Sequence, residues 1–187
     1  MESKGKANFK IIVINKGNFL NYRNYLYFKP EEFERNREKE FIEKVKKDIQ
    51  KQRNVVYLLL FENGERGGFI AVSASRIYNL NNQEGVPALQ VDYLFVNRKY
   101  RRKKVIFITE GKKEKISIYL LGLILKLANE KWRYELGLRD LILYPDQQNR
   151  KLINFYKELG FFIYKSRKGK KKEIWLIKRV SKKRNML

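Results

Sequence analysis

Apolar and polar positions change period several times along this chain, and each change marks an element. Phe9 to Ile14 (FKIIVI) is a short β-rich run and predicts a first strand. Phe19 to Phe28 is rich in Asn and Tyr and fits neither period. Pro30 followed by Glu31 and Glu32 is a helix start, with acids at the positive end of the dipole. Phe41, Ile42, Val45 and Ile49 then recur at helical spacing, which predicts a charged amphipathic helix over 31–52. Val55 to Phe61 reads as a strand, Asn63-Gly64 as a hairpin turn with Gly67-Gly68 close behind, and Phe69 to Tyr78 as the returning strand. A polar loop, Asn79 to Val86, leads to a strand over Ala88 to Val96. Alternation puts Leu89, Val91, Tyr93 and Phe95 on one face of it and Gln90, Asp92, Leu94 and Val96 on the other.

A basic segment follows, Arg98 to Lys115, with nine basic and two acidic residues. Ile116, Tyr119, Leu120, Leu123, Ile124 and Leu127 then form an apolar stripe, predicting a buried helix over Lys115 to Glu130. Leu138 to Tyr144 is a strand stopped by Pro145, and Asn149 to Leu159 a helix ended by Gly160. Phe161 to Tyr164 and Glu173 to Val180 read as two last strands joined by a basic turn, and about 181–187 as a frayed basic tail. The order β, helices, ββ, β, α, β, α, ββ implies a single domain over 1–187, built as a mixed sheet flanked by helices.

Composition narrows the chemistry. A chain of 187 residues with 43% hydrophobic residues can bury a real core. No apolar run reaches the roughly 18 to 20 residues that span a bilayer, so no membrane association is expected. The opening residues lack the apolar core of a secretory signal, so the expected location is cytoplasmic. The chain has no cysteine and no histidine. That excludes disulfides, a thiolate nucleophile, a Ser-His-Asp triad and the usual zinc sites, and no metal site is expected. Chemistry falls to carboxylates, Tyr, Lys, hydroxyls, backbone amides or a bound cofactor. The formal charge of +23 favours anionic partners, although a Lys-rich surface also serves solubility.

Two local patterns add specificity. In Asn149-Arg-Lys-Leu152-Ile-Asn-Phe-Tyr156-Lys-Glu-Leu-Gly160-Phe161, Asn149 can cap a helix, Leu152, Phe155 and Tyr156 share a face, and Gly160 turns the chain. In Leu94-Phe-Val96-Asn-Arg-Lys-Tyr100-Arg101, a strand end runs into a basic stretch. With the element order, these resemble the GNAT (GCN5-related) N-acetyltransferases. The late helix matches N-x-x-A-x-x-x-Y-x-x-x-G-F at Asn149, Tyr156, Gly160 and Phe161, with Leu152 replacing the small residue. The strand end matches V-x-x-x-Y-R at Val96, Tyr100 and Arg101. The glycine-rich turn that should follow is replaced by Arg102, Lys103 and Lys104. The opening of the cofactor helix, I-G-x-x-L-L, matches better at Ile116, Ser117, Leu120 and Leu121, which leaves roughly ten residues around Arg102 to Gly111 as an insertion.

The resemblance implies a mostly antiparallel mixed α/β sheet and direct acetyl transfer from acetyl-CoA to an acceptor amine, without an enzyme nucleophile. It implies Tyr156 as the general acid toward the CoA thiolate and Asp92 as the base. Leu94, Phe95 and Val96 would meet the pantetheine arm. Arg101, Lys113, Lys115, Ile116 and Ser117 would serve the pyrophosphate, and Asn149 would contact the arm or only cap its helix. Tyr164 is an acceptor-side candidate. Each residue also has a plain structural reading: Asp92 facing solvent or paired with a cation, Tyr156 packing its helix on the sheet, the basic segment a solvated loop. The acceptor is open between a small molecule, a protein amine and an aminoacyl-RNA. A competing reading is a nucleic-acid or ribosome-binding protein on an inactive fold, resting on the net charge and on Lys165 to Arg184, which holds eleven basic residues and one acid beside Trp175.

Overall fold

The computed structural model describes residues 6–78, 85–103, 105–107, 112–138, 140–145, 149–168 and 171–180. Ten strands appear among them. These are β1 (Lys6–Ala7), β2 (Phe9–Ile14), β3 (Val55–Phe61), β4 (Arg66–Tyr78), β5 (Gly85–Val96), β6 (Val105–Phe107), β7 (Lys112–Glu114), β8 (Asp140–Leu143), β9 (Phe162–Lys168) and β10 (Lys171–Arg179). The α-helices are α1 (Phe19–Tyr22), α2 (Arg37–Gln50), α3 (Ile116–Leu127), α4 (Arg133–Leu136) and α5 (Arg150–Glu158). Seven strands hydrogen-bond in the order β2-β3-β4-β5-β8-β10-β9, and three more in the order β1-β6-β7. Within the larger sheet β5 and β8 run parallel, whereas β2–β3, β3–β4, β8–β10 and β10–β9 are antiparallel. The mixed, mostly antiparallel sheet expected from the sequence is therefore present.

The chain divides into two compact units, Met1–Val72 with Tyr93–Leu123, and Ser73–Asp92 with Ile124–Leu187. In the first, the inward positions of β2 and β3 alternate as a two-residue period requires: Ile12, Ile14, Val56, Leu58 and Leu60 enter one core. Ile42, Val45 and Ile49 of α2 and Phe19, Leu26 and Phe28 cover them. Four aromatic rings close this core. Phe28 meets Phe95 edge-on at 4.8 Å, Phe69 stacks on Phe95 at 5.5 Å, and Phe33 lies 5.9 Å from Phe95.

The helix expected over 31–52 is shorter than its pattern suggests. Pro30–Glu32 forms one 3₁₀ turn, Phe33 is extended, and α2 starts at Arg37. The break lets Phe33 turn onto Phe28 and Phe95, and it frees the Glu32 carboxylate to accept the Lys29 N–H at 2.6 Å. The unclassified stretch at 19–28 becomes α1 followed by a 3₁₀ turn over Arg23–Leu26. Strand β4 begins at Arg66 rather than Phe69, because Gly67 and Gly68 lie inside the ladder with β3. Strand β5 begins at Gly85 rather than Ala88. The loop ahead of it falls largely outside the described residues.

In the second unit, β8 registers Ile142 against Gln90 of β5 and Ile177 of β10. Ala88, Ile142 and Ile177 form a small core, against which Ile77, Tyr164 and Trp175 pack. The helix predicted to end at Glu130 continues. A π turn over Ala128–Trp132 carries it into α4, and Gly137 at φ +62° stops it. Helix α5 matches its prediction closely, bounded by Asn149 and by Gly160 at φ +83°. The last two strands run further into the basic segment than their expected limits at Tyr164 and Glu173: β9 continues to Lys168 and β10 begins at Lys171, because the antiparallel ladder pairs Lys172 with Arg167 and Lys171 with Lys168. The tail at 181–187 lies outside the described residues.

Candidate functional site

In the first unit the strand expected to meet the cofactor ends in a clamp. Phe95 is buried, and Leu94 and Val96 are half-buried. A Cβ on Gly68 would lie 2.4 Å from the Phe95 carbonyl oxygen and 3.0 Å from Val96 Cα, so only glycine lets β4 pass this close. The Asn97 N–H donates to the Gly67 carbonyl at 2.9 Å. Its buried side chain donates to Glu32 at 2.7 Å and to the Arg66 carbonyl at 3.0 Å, and accepts the Lys99 N–H at 3.0 Å. Arg66 in turn donates to Glu32 at 3.1 Å.

Arg101 lies beside the same strand end. Its Nε–H donates to the Val96 carbonyl at 2.7 Å, its guanidinium meets Glu34 at 2.5 Å and Glu38 at 2.9 Å, and it covers the Phe95 ring. The hydrogen bond from Arg101 holds the Glu34 carboxyl below its ordinary range, although this group is largely exposed. Glu38 is buried and also accepts the Glu34 N–H at 3.0 Å. Beyond Arg101, Glu65 takes Lys99 at 2.5 Å and a short hydrogen bond from the Tyr100 hydroxyl. Those two hydrogen bonds, Lys99 first, lower the Glu65 carboxyl; burial and then Glu65 raise the Tyr100 phenol.

The basic segment does not form a phosphate loop directly after the strand. It passes through Arg102, a non-glycine residue at φ +63°, into the antiparallel pair β6–β7. Only after β7 does α3 begin. Ile116 is buried, Ser117 and Lys115 are half-buried, and Lys113 is exposed. The Lys115 carbonyl accepts from Ile118 and Tyr119, both at 3.0 Å, so the first N–H groups of the helix have no partner within it.

In the second unit, Gln90 donates to Asp92 at 2.8 Å on the half-buried face of β5. Asn149 caps α5, its side-chain oxygen accepting the Leu152 N–H at 3.1 Å. Tyr156 is 6% exposed, between Phe155 and Phe161 at 5.3 and 5.8 Å. Burial pushes its phenol up to about 12. Its backbone carbonyl accepts from Leu159 and Phe161, both at 3.1 Å, and no described group hydrogen-bonds its hydroxyl. Gly160 reverses the chain so that Phe161 returns to this ring, with Lys178 fixing the turn by donating to the Leu159 carbonyl at 2.5 Å.

Pattern reading of the sequence missed Glu32, Glu34, Glu38 and Asn97. One signal was visible: Glu38 falls on the same helical stripe as Ile42, Val45 and Ile49, where a lone carboxylate would be costly without a partner. No group of three or more His, Cys, Asp or Glu residues able to hold a metal occurs among the described residues.

No protein-family model matches the chain, and no curated protein matches it in sequence. Solved structures do match in shape. A mutant of KacT superposes with TM-score 0.65 at 13% identity over 92% of this chain and 95% of that one. AtaTR bound with acetyl-CoA matches with TM-score 0.59 at 15% identity, over 92% and 94% of the two chains. NAA60 of Arabidopsis thaliana, in complex with acetyl-CoA, matches with TM-score 0.51 at 13% identity, over 92% and 98%. At these identities the likeness speaks for the backbone alone. The chain has the fold of the GNAT acetyltransferases.

Proposed function

We propose that this protein is an acetyl-CoA-dependent N-acetyltransferase acting by direct transfer to an acceptor amine. The observation that carries the reading is Tyr156. It is a buried phenol whose hydroxyl makes no described hydrogen bond and which burial keeps protonated far above neutral pH. A proton donor needs this state, and in a chain without Cys or His the role falls to a group such as a tyrosine phenol. Acetyl-CoA, when bound, supplies a thioester whose C–S bond breaks as the amine forms its C–N bond.

The chain's own groups fit that cofactor's chemistry. The unpartnered N–H groups at the start of α3 carry the positive end of its dipole, with Ser117 as a hydroxyl donor and Lys113 and Lys115 as charge, a donor set suited to a pyrophosphate. Leu94, Phe95 and Val96 present strand backbone to the pantetheine arm. Arg101 serves this indirectly, by fixing the Val96 carbonyl and the chain around it. Asn149 holds the start of α5 and so the placement of Tyr156. Asp92, supported by Gln90, receives the proton released by the amine. Tyr156 protonates the departing thiolate, and its proton is replaced from solvent.

Calorimetric titration with acetyl-CoA at two salt concentrations tests the binding step. Micromolar affinity that weakens with salt is expected, and no heat at either salt would sink the reading. Acceptor screens should span small amines, protein amines and aminoacyl-RNA. With an acceptor in hand, Tyr156→Phe should lower kcat about 10²-fold or more while leaving acetyl-CoA affinity nearly unchanged. Equal kinetics in the two proteins would remove Tyr156 from the mechanism.

A further inference from the structure

The start of α3 is held from three directions, and the transferase reading uses none of them. The first hold is on the strand that delivers the chain there. β7 is only three residues long, as is its partner β6. A two-stranded pair is marginal by itself, and a third strand steadies it. β1 supplies that strand: Lys6 pairs with Ile106 and Ala7 with Phe107, parallel to β6. The second hold follows two residues later, where Phe9 opens β2 opposite Phe61 of β3. Alternation turns Phe9 to the face opposite Ile12 and Ile14, away from the core that α2 covers. Its ring meets Tyr119, in the first turn of α3, edge-on at 5.1 Å. Asn8 locks this corner: its side chain donates to Glu62 at 2.8 Å, and its carbonyl accepts the Glu62 N–H at 3.1 Å. The third hold is a floor. Ile116 is buried, and a Cβ on Gly67 would lie 3.1 Å from its Cδ1, 2.7 Å from Leu59 and 3.0 Å from Phe61. The missing side chain at Gly67 leaves the seat that Ile116 fills.

These holds do different things. Ile116 and Leu120, one turn apart and both buried, set the height of the helix on the sheet. They leave it able to turn about its axis. Tyr119 stands about 100° round the helix from Leu120, so a ring against it fixes that rotation. The rotation decides where Ser117 and the unpartnered N–H groups of the first turn point. We infer that Phe9 is a positioning residue for the cofactor: through Tyr119 it sets the aim of the first turn of α3 at a pyrophosphate, with β1 steadying the strands that lead into it. The inference rests on the transferase reading above, and its test separates the two.

The full chain is compared as wild type, Phe9→Ala and Phe9→Tyr, which keeps the ring. Ile12→Val, which deletes one buried methylene from the opposite face of the same strand, is the control for mere destabilisation. Amide hydrogen exchange is followed without ligand, and acetyl-CoA is titrated by calorimetry. Phe9→Ala should speed exchange over residues 115–120 and weaken acetyl-CoA binding about threefold to tenfold. Phe9→Tyr should return both toward wild type, and Ile12→Val should lower the urea midpoint with affinity unchanged. Phe9 and Tyr119 are both half-buried, and circular dichroism verifies folding. Should Phe9→Ala not fold, Tyr119→Ala removes the same contact from the helix side and should give the same two changes. Three results would each overturn the inference while leaving the transferase reading in place: unaltered exchange over 115–120, faster exchange with full acetyl-CoA affinity, or equal loss of affinity in Phe9→Ala and Ile12→Val. Wild type that binds no acetyl-CoA is a different failure, which removes the transferase reading and this inference with it.

Discussion

At the scale of single residues, the Arg101 side chain is heavily committed. Its guanidinium meets two carboxylates and a carbonyl while covering an aromatic ring. A group so engaged has little left to offer a phosphate, so its contribution to cofactor binding runs through the strand end. Removing it would strand the buried Glu38 carboxylate, the situation that makes half of a buried ion pair costly. Arg101→Ala is expected to cost about 3 kcal/mol, read as a lowered urea midpoint, whereas Glu34→Gln should cost under about 1 kcal/mol because the Glu34 side chain is 40% exposed to water. Similar losses in the two variants would show that Glu38 finds another partner.

At the scale of elements, the close passage of β4 beside the end of β5 rests on Gly68. Its φ of +158° is a backbone conformation that residues with a side chain rarely adopt, and distance forbids one as well: the Phe95 carbonyl oxygen stands 2.4 Å from any Cβ. Gly68→Ala must push the two strands apart, for about 1–3 kcal/mol, and should weaken acetyl-CoA binding as the Leu94–Val96 backbone shifts. Loss of stability with full cofactor affinity would separate this strand end from the binding step. The start of α3 makes a different prediction. Lys113→Ala with Lys115→Ala should weaken acetyl-CoA binding and flatten its salt dependence, since both would act as point charges on a pyrophosphate. Unchanged affinity would move the phosphate site away from the β7–α3 junction.

At the scale of the whole molecule, the burial of Tyr156 becomes a pH-dependent stability. Its folded pKa, about 12, lies above the roughly 10 of an unfolded chain. The unfolded state therefore releases this proton first. The stability contributed by Tyr156 is complete below about pH 10 and drains away as pH rises toward its folded value, by on the order of 2 kcal/mol. Other phenols and lysines titrate in the same range, so the measurement is a difference. Urea unfolding of wild type and Tyr156→Phe at about pH 9 and about pH 11 should show the wild type losing more, and parallel losses would mean that the phenol is reached by water. Far from the core, the net charge of +23 sets the salt dependence expected of every anionic ligand.

The sequence by itself determined what depends on neighbours a few residues away. Alternation marked the strands, the stripe at Ile116, Leu120 and Ile124 marked a buried helix, and Asn149 with Gly160 bounded α5, because periods and caps act within a turn or two. The absence of Cys and His had already narrowed the chemistry. Only the tertiary structure decided what depends on where the chain returns. Arg101 finds Glu38 63 residues away, and Asn97 finds Glu32 65 residues away. The helix pattern at 31–52 yields to a break because Phe33 is better used against Phe28 and Phe95. Phe9 and Tyr119, far apart in the sequence, become one edge-on pair because the chain returns past the start of β2 as α3. Local patterns constrain a residue's own conformation, but the partner of a buried charge and the company of an aromatic ring are fixed by chain topology, which sums over contacts that no short window contains.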